Sequence, residues 1–233
     1  YLIIKAFDNP EKREKKKAEK RIAEQNAAIE NSDVVKRVIA ELETKNQKLL
    51  EVNKTLVSHV STFFSRDNSM ENFLDYCNKM ITEKVSADGC VILIGDDYDN
   101  TLAVKSLMGS FPPPYKLPDD LPHKPLRVET NLRFAQFPLS ENIFGNIFSE
   151  GEAVLIADSI KDPRVYQNGP EDFLKCGSYI FAPIKQQDKM LGLIGLARVA
   201  TNEKFNKEDF ETAVIIADAI STAITPLYSF LAY

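Results

Sequence analysis

Hydrophobic residues recur every seven positions along the first quarter of the chain, between Pro10 and about Phe64. This stretch contains no further proline and no glycine, and Glu, Lys, Ala, Gln and Leu dominate it, which is typical of one long helix. Val38 and Val52 fall between the repeating positions, so the pattern predicts a parallel coiled coil over residues 10–64. We expect the dimer interface to include the repeating residues Val35, Leu42, Leu49, Leu56 and Phe63.

Two features interrupt this heptad pattern. Lys45 and His59 stand where apolar residues are expected, and polar residues at such positions lower stability but fix register and parallel pairing. Val35 follows Ile29 by only six residues, so near residues 31–33 either the supercoil is distorted or the helix breaks.

The rest of the chain alternates short apolar runs with polar turns. After a polar stretch at 65–69, the pattern predicts an amphipathic helix ending near Asp88, a buried strand at 90–94 and a hairpin partner at 102–107. Six prolines make residues 110–126 an irregular segment. The later predicted elements are a helix capped by Ser140 and ended by Gly151, a strand at 153–156, one or two helical turns at 170–175, a hairpin of strands 178–184 and 190–197, and a final helix from about Asn206.

The final predicted helix carries two apolar faces. One is a stripe beginning at Phe210, and the other includes Ile216 and Ile220. Because two apolar faces require two packing partners, we expect Ile216 and Ile220 to lie in the interface with a second protomer.

Composition and charge narrow the class of protein. The chain has 233 residues, of which 44% are hydrophobic. These apolar side chains are enough for one domain with a buried core plus an extended element. The net charge of −5 argues against a nucleic-acid partner. Apolar residues followed by a basic cluster at 12–21 indicate that residues 1–9 are either the end of a membrane segment or an arbitrary starting point. We expect a cytoplasmic protein. If residues 1–9 end a membrane segment, the protein is also tethered to the inner face of a membrane.

Three segments of the second half resemble the GAF sensor domain: Ile143–Asp158, Ser178–Leu196 and Phe205–Ile224. In that family a helix ending in glycine leads into a strand, an apolar-Pro-apolar strand turns into a glycine-rich strand, and an Asp-containing cap opens the last helix. The resemblance covers residues 69–225. It implies an α+β fold, in which an antiparallel sheet is flanked by helices and follows the long N-terminal helix.

The resemblance also implies a function. GAF domains of this arrangement are regulatory modules that bind a small molecule and relay the signal through dimeric helices to an output domain. We expect that output domain, of phosphatase, cyclase or kinase type, in the same polypeptide, with residues 226–233 beginning the linker to it. The alternative is a ligand-free dimerisation and relay module.

The resemblance implies a ligand site on the sheet face opposite the helices. Residues 110–148 and 158–175 would cover that face, and we call these two segments the roof. Asp158 and Arg164 either contact the ligand or cap and pair locally, and the aromatic residues either stack on a purine or belong to the core. The expected ligand-binding residues are Phe134, Phe137, Asp158, Arg164, Tyr166, Phe173 and Tyr179.

The identity of the ligand stays open at this stage. Some GAF domains that bind cyclic nucleotides carry Asn-Lys, then Phe, three residues and Asp-Glu. This chain keeps Asn202, Phe205 and Asp209 but lacks the adjoining lysine and glutamate, so a cyclic nucleotide is not favoured. We do not expect a bilin, because Cys176 is not followed by histidine, or haem, because His123 lies in the proline-rich segment.

No catalytic or metal site is expected. Cys77, Cys90 and Cys176 are scattered, without the spacing of a zinc site or a disulfide framework. One GAF-like family reduces free methionine sulfoxide through closely placed cysteines, whereas here Cys77 and Cys90 are predicted to be core residues. Neither a Ser-His-Asp set nor a phosphate-binding glycine loop stands out.

Overall fold

The computed structural model describes residues 10–65, 70–96, 99–139 and 141–231, and the side chains of residues 14–27, 32–58, 70–96, 99–139 and 141–225. The chain divides into two compact units, Tyr1–Leu50 and Glu51–Tyr233. Residues 1–9, for which a membrane segment was one interpretation, lie outside the described residues. Among the helices described, none combines the length and the apolar character needed to cross a bilayer.

One unbroken helix, α1 (Pro10–Ser65), accounts for the predicted coiled-coil stretch. The break considered near residues 31–33 does not occur, since strong helix formers flank that position on both sides. Val35 and Leu42 are each 55% exposed, and the side chain of Phe63 lies outside the described residues.

The second unit follows the predicted order, with two additions, α3 and β3. The helix α3 begins at Pro125, a residue whose place among six prolines indicates irregular chain. Proline is tolerated there because N–H groups in the first turn make no hydrogen bond within the helix. The elements after α1 are α2 (Met70–Val85), β1 (Gly89–Asp96), β2 (Thr101–Gly109), α3 (Pro125–Arg133), β3 (Gln136–Pro138), α4 (Asn142–Glu150), β4 (Val154–Ile156), a 3-10 turn (Asp172–Leu174), β5 (Cys176–Gln186), β6 (Lys189–Val199) and α5 (Lys207–Leu231).

The strands form one six-stranded antiparallel sheet in the order β3-β2-β1-β6-β5-β4. Its centre is the long β5–β6 hairpin and β1, whose nearly continuous apolar runs are buried on both faces. The hairpin turns through two residues, with Gln187 at a φ of 55°. This architecture confirms the expected α+β fold.

Helices cover one face of the sheet, and the roof segments cover the other. The helices α2 and α5 pack on the first face, and α5 contacts both β5 and α2. Ile216 and Ile220, predicted to meet a second protomer, are 1% and 0% exposed and are covered within their own chain. The two apolar faces of α5 are therefore accounted for by the sheet and α2.

The side chain of the first residue of α4 binds free backbone N–H groups of that helix, whereas the predicted cap is not among the described residues. Ser140 lies outside the described residues, and Asn142, with a φ of 55°, accepts hydrogen bonds at its Oδ1 from the backbone N–H groups of Phe144 at 2.8 Å and Gly145 at 3.4 Å. The predicted end at Gly151 is confirmed, with the glycine in the left-handed conformation at a φ of 67°.

A buried polar network joins α2 to the sheet. Asn78, 0% exposed, donates from Nδ2 to the carbonyl of Cys90 at 3.2 Å and to Oγ of Ser106 at 2.9 Å. Ser106 in turn donates to Oδ1 of Asp75 at 2.5 Å. Because Asn78 and Ser106 are withdrawn from water, their hydrogen bonds are needed to offset desolvation.

Replacing Asn78 with alanine tests this network. We expect Asn78→Ala to lower the free energy of unfolding by about 1–3 kcal/mol, because Ser106 and the Cys90 carbonyl lose a buried partner. Asn146→Ala, at an exposed position of α4, is the matched control and should change stability by less than about 0.5 kcal/mol. Equal effects in urea unfolding would show that the network adds nothing.

Candidate functional site

Aromatic rings fill the roofed face of the sheet. Tyr179 and Phe181 project from β5 with ring centroids 5.6 Å apart, and Phe144 of α4 meets Phe181 at 5.9 Å. Gly195 on β6 leaves the necessary space, because a Cβ there would lie 3.1 Å from Phe181 and 3.2 Å from Phe111. The enclosed space beneath the roof is therefore occupied by side chains of the domain itself.

The hydroxyl of Tyr179 fastens the roof to the sheet. It donates to the carbonyl of Pro112 at 2.5 Å. Burial raises the pKa of Tyr179 well above its usual value, and the nearby Cys176 thiol raises it further, so the hydroxyl stays protonated as a donor. This hydrogen bond leaves Tyr179 engaged with the roof.

Asn168 fastens the proline-rich segment at three further points. Its side chain is buried, and its Nδ2 donates to the carbonyls of Pro113 at 3.0 Å and Tyr115 at 2.7 Å. Its Oδ1 accepts from the backbone N–H of Leu117 at 3.0 Å. A segment that contains few backbone donors thus gains order from one amide side chain.

A narrow crevice of about 110 Å³ lies between α3 and the start of the proline-rich segment. Small-molecule pockets usually measure about 300–1,000 Å³, so the crevice is too small for most ligands. Its apolar lining residues include Leu107, Phe111, Val128, Leu132 and Phe173.

A larger opening, which we call the β3 depression, lies at the edge of the sheet and measures about 430 Å³. Its volume falls within the range of small-molecule pockets. Aromatic, amide and charged side chains line it together. The lining residues are Tyr115, Lys116, Pro118, Asn131, Ala135, Gln136, Phe137, Pro138, Glu141 and Asn142.

Tyr115 supplies the most unusual polar atom of the β3 depression. Its ring meets Phe137 edge-on at 4.8 Å, and its hydroxyl oxygen is buried without a hydrogen-bond partner among the residues described. Burial raises the pKa of Tyr115, so the hydroxyl remains protonated. An unpaired buried hydroxyl costs about 1–3 kcal/mol, and a ligand could recover this cost only if its binding moves the Tyr115 side chain and uncovers the hydroxyl.

The charged residues after β4 pair with one another at the surface. Asp158 Oδ2 lies 2.9 Å from Lys204 Nζ, and this hydrogen bond lowers the pKa of Asp158. Arg164 binds Asp162 through two contacts, Nη2 to Oδ2 at 2.6 Å and Nε to Oδ1 at 2.9 Å, and these hydrogen bonds lower the pKa of Asp162. The geometry is that of local pairing.

The residues compared with the cyclic-nucleotide pattern hold the start of α5 in place. Arg198 lies over the ring of Phe205 at 4.5 Å and pairs with Asp209, Nη1 to Oδ2, at 3.1 Å. Asn202 donates from Nδ2 to Oδ1 of Asp88 at 2.7 Å. We call this group the Arg198 clamp, and it joins α5 to β6 and to the α2–β1 turn.

The three cysteines are free and buried. Burial raises the pKa of Cys176 to about 12 and also raises the pKa values of Cys77 and Cys90. His123 Nδ1 lies 3.3 Å from Glu171 Oε2, and within the described part of the chain no group of three metal-binding side chains occurs.

A model of the GAF domain family matches residues 67–225, which is more than half of the chain. This chain belongs to the GAF domain family. The match confirms the resemblance seen in the second half of the sequence. No curated protein sequence matches the chain.

Several solved structures share the fold at low sequence identity. The GAF domain of a phosphoenolpyruvate-protein phosphotransferase from Coxiella burnetii has a TM-score of 0.58 and 18% identity, covering 80% of this chain and 98% of that one. A methyl-accepting chemotaxis protein, residues 122 to 287, has a TM-score of 0.53 and 16% identity, covering 78% and 99%. Free methionine-R-sulfoxide reductase from Neisseria meningitidis, in complex with its substrate, has a TM-score of 0.55 and 11% identity, covering 80% and 91%.

Within this GAF domain the predicted ligand residues lie apart. Phe137 lines the β3 depression, Phe173 lines the narrow crevice, and Tyr179 is buried with its hydroxyl bound to the roof. The remaining predicted ligand residues are partly or fully exposed: Phe134, Asp158, Arg164 and Tyr166.

Sequence reasoning missed Tyr115, Gln136 and Asn168. Tyr115 directly follows three prolines, a signal that its side chain stands at a fixed position, but the pattern does not reveal what it faces. Asn168 bonds to residues 51 to 55 positions away, and no local pattern predicts such contacts.

Substitution of Asn168 tests the order of the roof. We expect Asn168→Ala to speed hydrogen exchange at the Leu117 amide by about tenfold, the equivalent of one lost hydrogen bond. Gln167→Ala, in which the lost contact is to the Ser159 carbonyl, is the matched control and should leave Leu117 protected. An unchanged exchange rate at Leu117 in Asn168→Ala would show that contacts other than those of Asn168 order the roof.

Thiol titration tests the burial of the cysteines. At pH 8 we expect the folded protein to react slowly with a disulfide reagent and the denatured chain to show all three thiols. Raised pKa values also mean that the unfolded chain loses protons first, so stability should fall as pH rises above about 8.5. A rapidly reacting thiol in the folded state would contradict the geometry.

Proposed function

We propose that this GAF domain is a regulatory sensor module that binds a small molecule in the β3 depression. The observation that carries the proposal is that Tyr115, whose buried hydroxyl is unpartnered among the described residues, lines an open depression of about 430 Å³. In this proposal the signal passes through paired helices to a separate output domain, of phosphatase, cyclase or kinase type, in the same cytoplasmic polypeptide. Fold similarity to domains from a phosphotransferase and a chemotaxis protein supports a signalling role.

The lining of the β3 depression favours a compact ligand with an aromatic or flat apolar part and a hydrogen-bond acceptor. Tyr115 and Phe137 are the aromatic residues of the lining, and the Tyr115 hydroxyl becomes a donor to the ligand once binding uncovers it. Asn131 and Gln136 add amide groups that both donate and accept.

A route for the signal runs from the β3 depression to α2. Gln136 on β3 pairs with Ala103 on β2. Further along β2, Ser106 is held by Asn78 and Asp75 of α2. A ligand changes the equilibrium only by binding one arrangement of these elements better than another.

We also propose that the domain is not catalytic. A thiol nucleophile requires access and a thiolate, whereas Cys77, Cys90 and Cys176 are buried with raised pKa values. A cyclic nucleotide is not favoured as ligand, because Phe205 and Asp209 already serve the Arg198 clamp. Haem and bilin are likewise not proposed.

The second candidate function is a ligand-free dimerisation and relay module. It is favoured by the aromatic packing around Phe144 and Phe181, which occupies the roofed face of the sheet. The two candidates differ in one respect, namely whether the β3 depression binds a ligand.

Removal of a single hydroxyl tests the sensor proposal. Without ligand, Tyr115→Phe should be neutral or stabilising, because it deletes an unpaired buried polar atom. Its affinity for a ligand found by native mass spectrometry or by a thermal-shift library should fall about tenfold, the equivalent of about 1.4 kcal/mol. Tyr166→Phe, at a tyrosine 48% exposed and outside the β3 depression, is the matched control. Binding that is unaffected by Tyr115→Phe would place the ligand elsewhere, and no binding at all would favour the ligand-free module.

A further inference from the structure

The first unit carries an apolar stripe that is exposed in the single chain. The stripe repeats with the heptad spacing and continues to the partly exposed Leu49. Its side chains are between 48% and 55% exposed, which is unusual for a cluster of branched apolar residues. These residues are Val34, Val35, Val38, Ile39 and Leu42.

The spacing of the stripe matches a second copy of the same helix. In a parallel, in-register pair, each residue of the seven-residue repeat faces its own counterpart. Val34 of one helix then lies beside Ile39 of the other, so two residues that are 54% and 49% exposed become covered by apolar surface. The next such pair, Glu41 beside Asn46, brings no like charges together.

The same repeat continues into the second unit, but there it is already covered. Val52 and Leu56 are only 6% and 1% exposed in the single chain. Glu51 Oε1 lies 3.1 Å from Lys84 Nζ on α2. Glu51 precedes the end of α1 by 14 residues and Lys84 follows the start of α2 by 14, as expected for adjacent antiparallel helices.

We propose that a second copy of this chain pairs in parallel along Val35–Leu49 and that the pairing stops there. Val52 and Leu56 cannot be buried against a partner helix while their own domain covers them. The domain and the partner helix therefore compete for these two residues, and a longer coiled coil requires that the end of α1 be released from the domain. This inference rests on the dimer of the proposed function.

Three leucine-to-alanine variants of the full chain separate the two roles. Leu42→Ala should raise the dimer dissociation constant at least tenfold and leave the melting temperature of the monomeric chain unchanged. Leu56→Ala should lower that melting temperature by about 5–15 °C and change the dimer dissociation constant less than twofold. Leu50→Ala, at a residue 59% exposed and one position off the repeat, should change neither.

Distances between the two chains test the same boundary without disturbing the core. Leu50 and Val57 occupy equivalent positions in successive heptads and are 59% and 64% exposed. Nitroxide labels on Leu50→Cys and Val57→Cys would give equal intersubunit distances in a continuous coiled coil. We expect a longer distance at position 57.

Two outcomes would overturn the boundary at Leu49 and leave the dimer of the proposed function intact. One is an equal intersubunit distance at positions 50 and 57. The other is that Leu56→Ala weakens the dimer as much as Leu42→Ala does, without lowering the melting temperature. A chain that stays monomeric at 100 µM, well above the dissociation constants of stable coiled coils, overturns both the inference and the dimer of the proposed function. Ligand binding to the monomeric domain, measured separately with Tyr115→Phe, shows whether the sensor part of that function still stands.

Discussion

The packing of aromatic rings between the sheet and its roof is the constraint on which the rest of the domain depends. Phe144, Tyr179 and Phe181 interlock on the sheet, and Gly195 makes room for them. This packing occupies the enclosed space, and among the described residues an opening of ligand size lies at the sheet edge, beside β3. The hydrogen bond from Tyr179 to Pro112 then holds a proline-rich segment that has few backbone donors of its own.

The Arg198 clamp shows that residues matching part of a ligand-binding pattern can have a structural role instead. Asn202, Phe205 and Asp209 match part of a ligand-binding pattern, yet each is engaged with Asp88 or Arg198. The clamp connects α5 to the centre of the sheet. A partly buried guanidinium bound by several partners suits that task, since it satisfies many groups at once.

The helix α1 belongs to both units, and its apolar repeat changes role at their boundary. From Val35 to Leu49 the apolar repeat, which the polar Lys45 interrupts, is partly or largely exposed, whereas Val52 and Leu56 are buried in the folded domain. One helical pattern thus serves two purposes. The boundary coincides with the ion pair between Glu51 and Lys84, where α1 lies beside α2.

The long helix, the order of most elements, the α+β fold and the family can all be read from the residues alone, because periodicity, glycine and proline positions act locally. The pattern does not predict α3 or β3, because Pro125 belongs to a proline-rich stretch that indicates irregular chain and Gln136–Pro138 is too short to show an alternation. Three outcomes emerge only from the folded chain: Tyr179 binds the roof, Asp158 and Arg164 pair locally, and Tyr115 borders the β3 depression. Those outcomes depend on contacts between residues distant in sequence. The fold determines which of several apolar or charged candidates lies within contact distance of a given side chain.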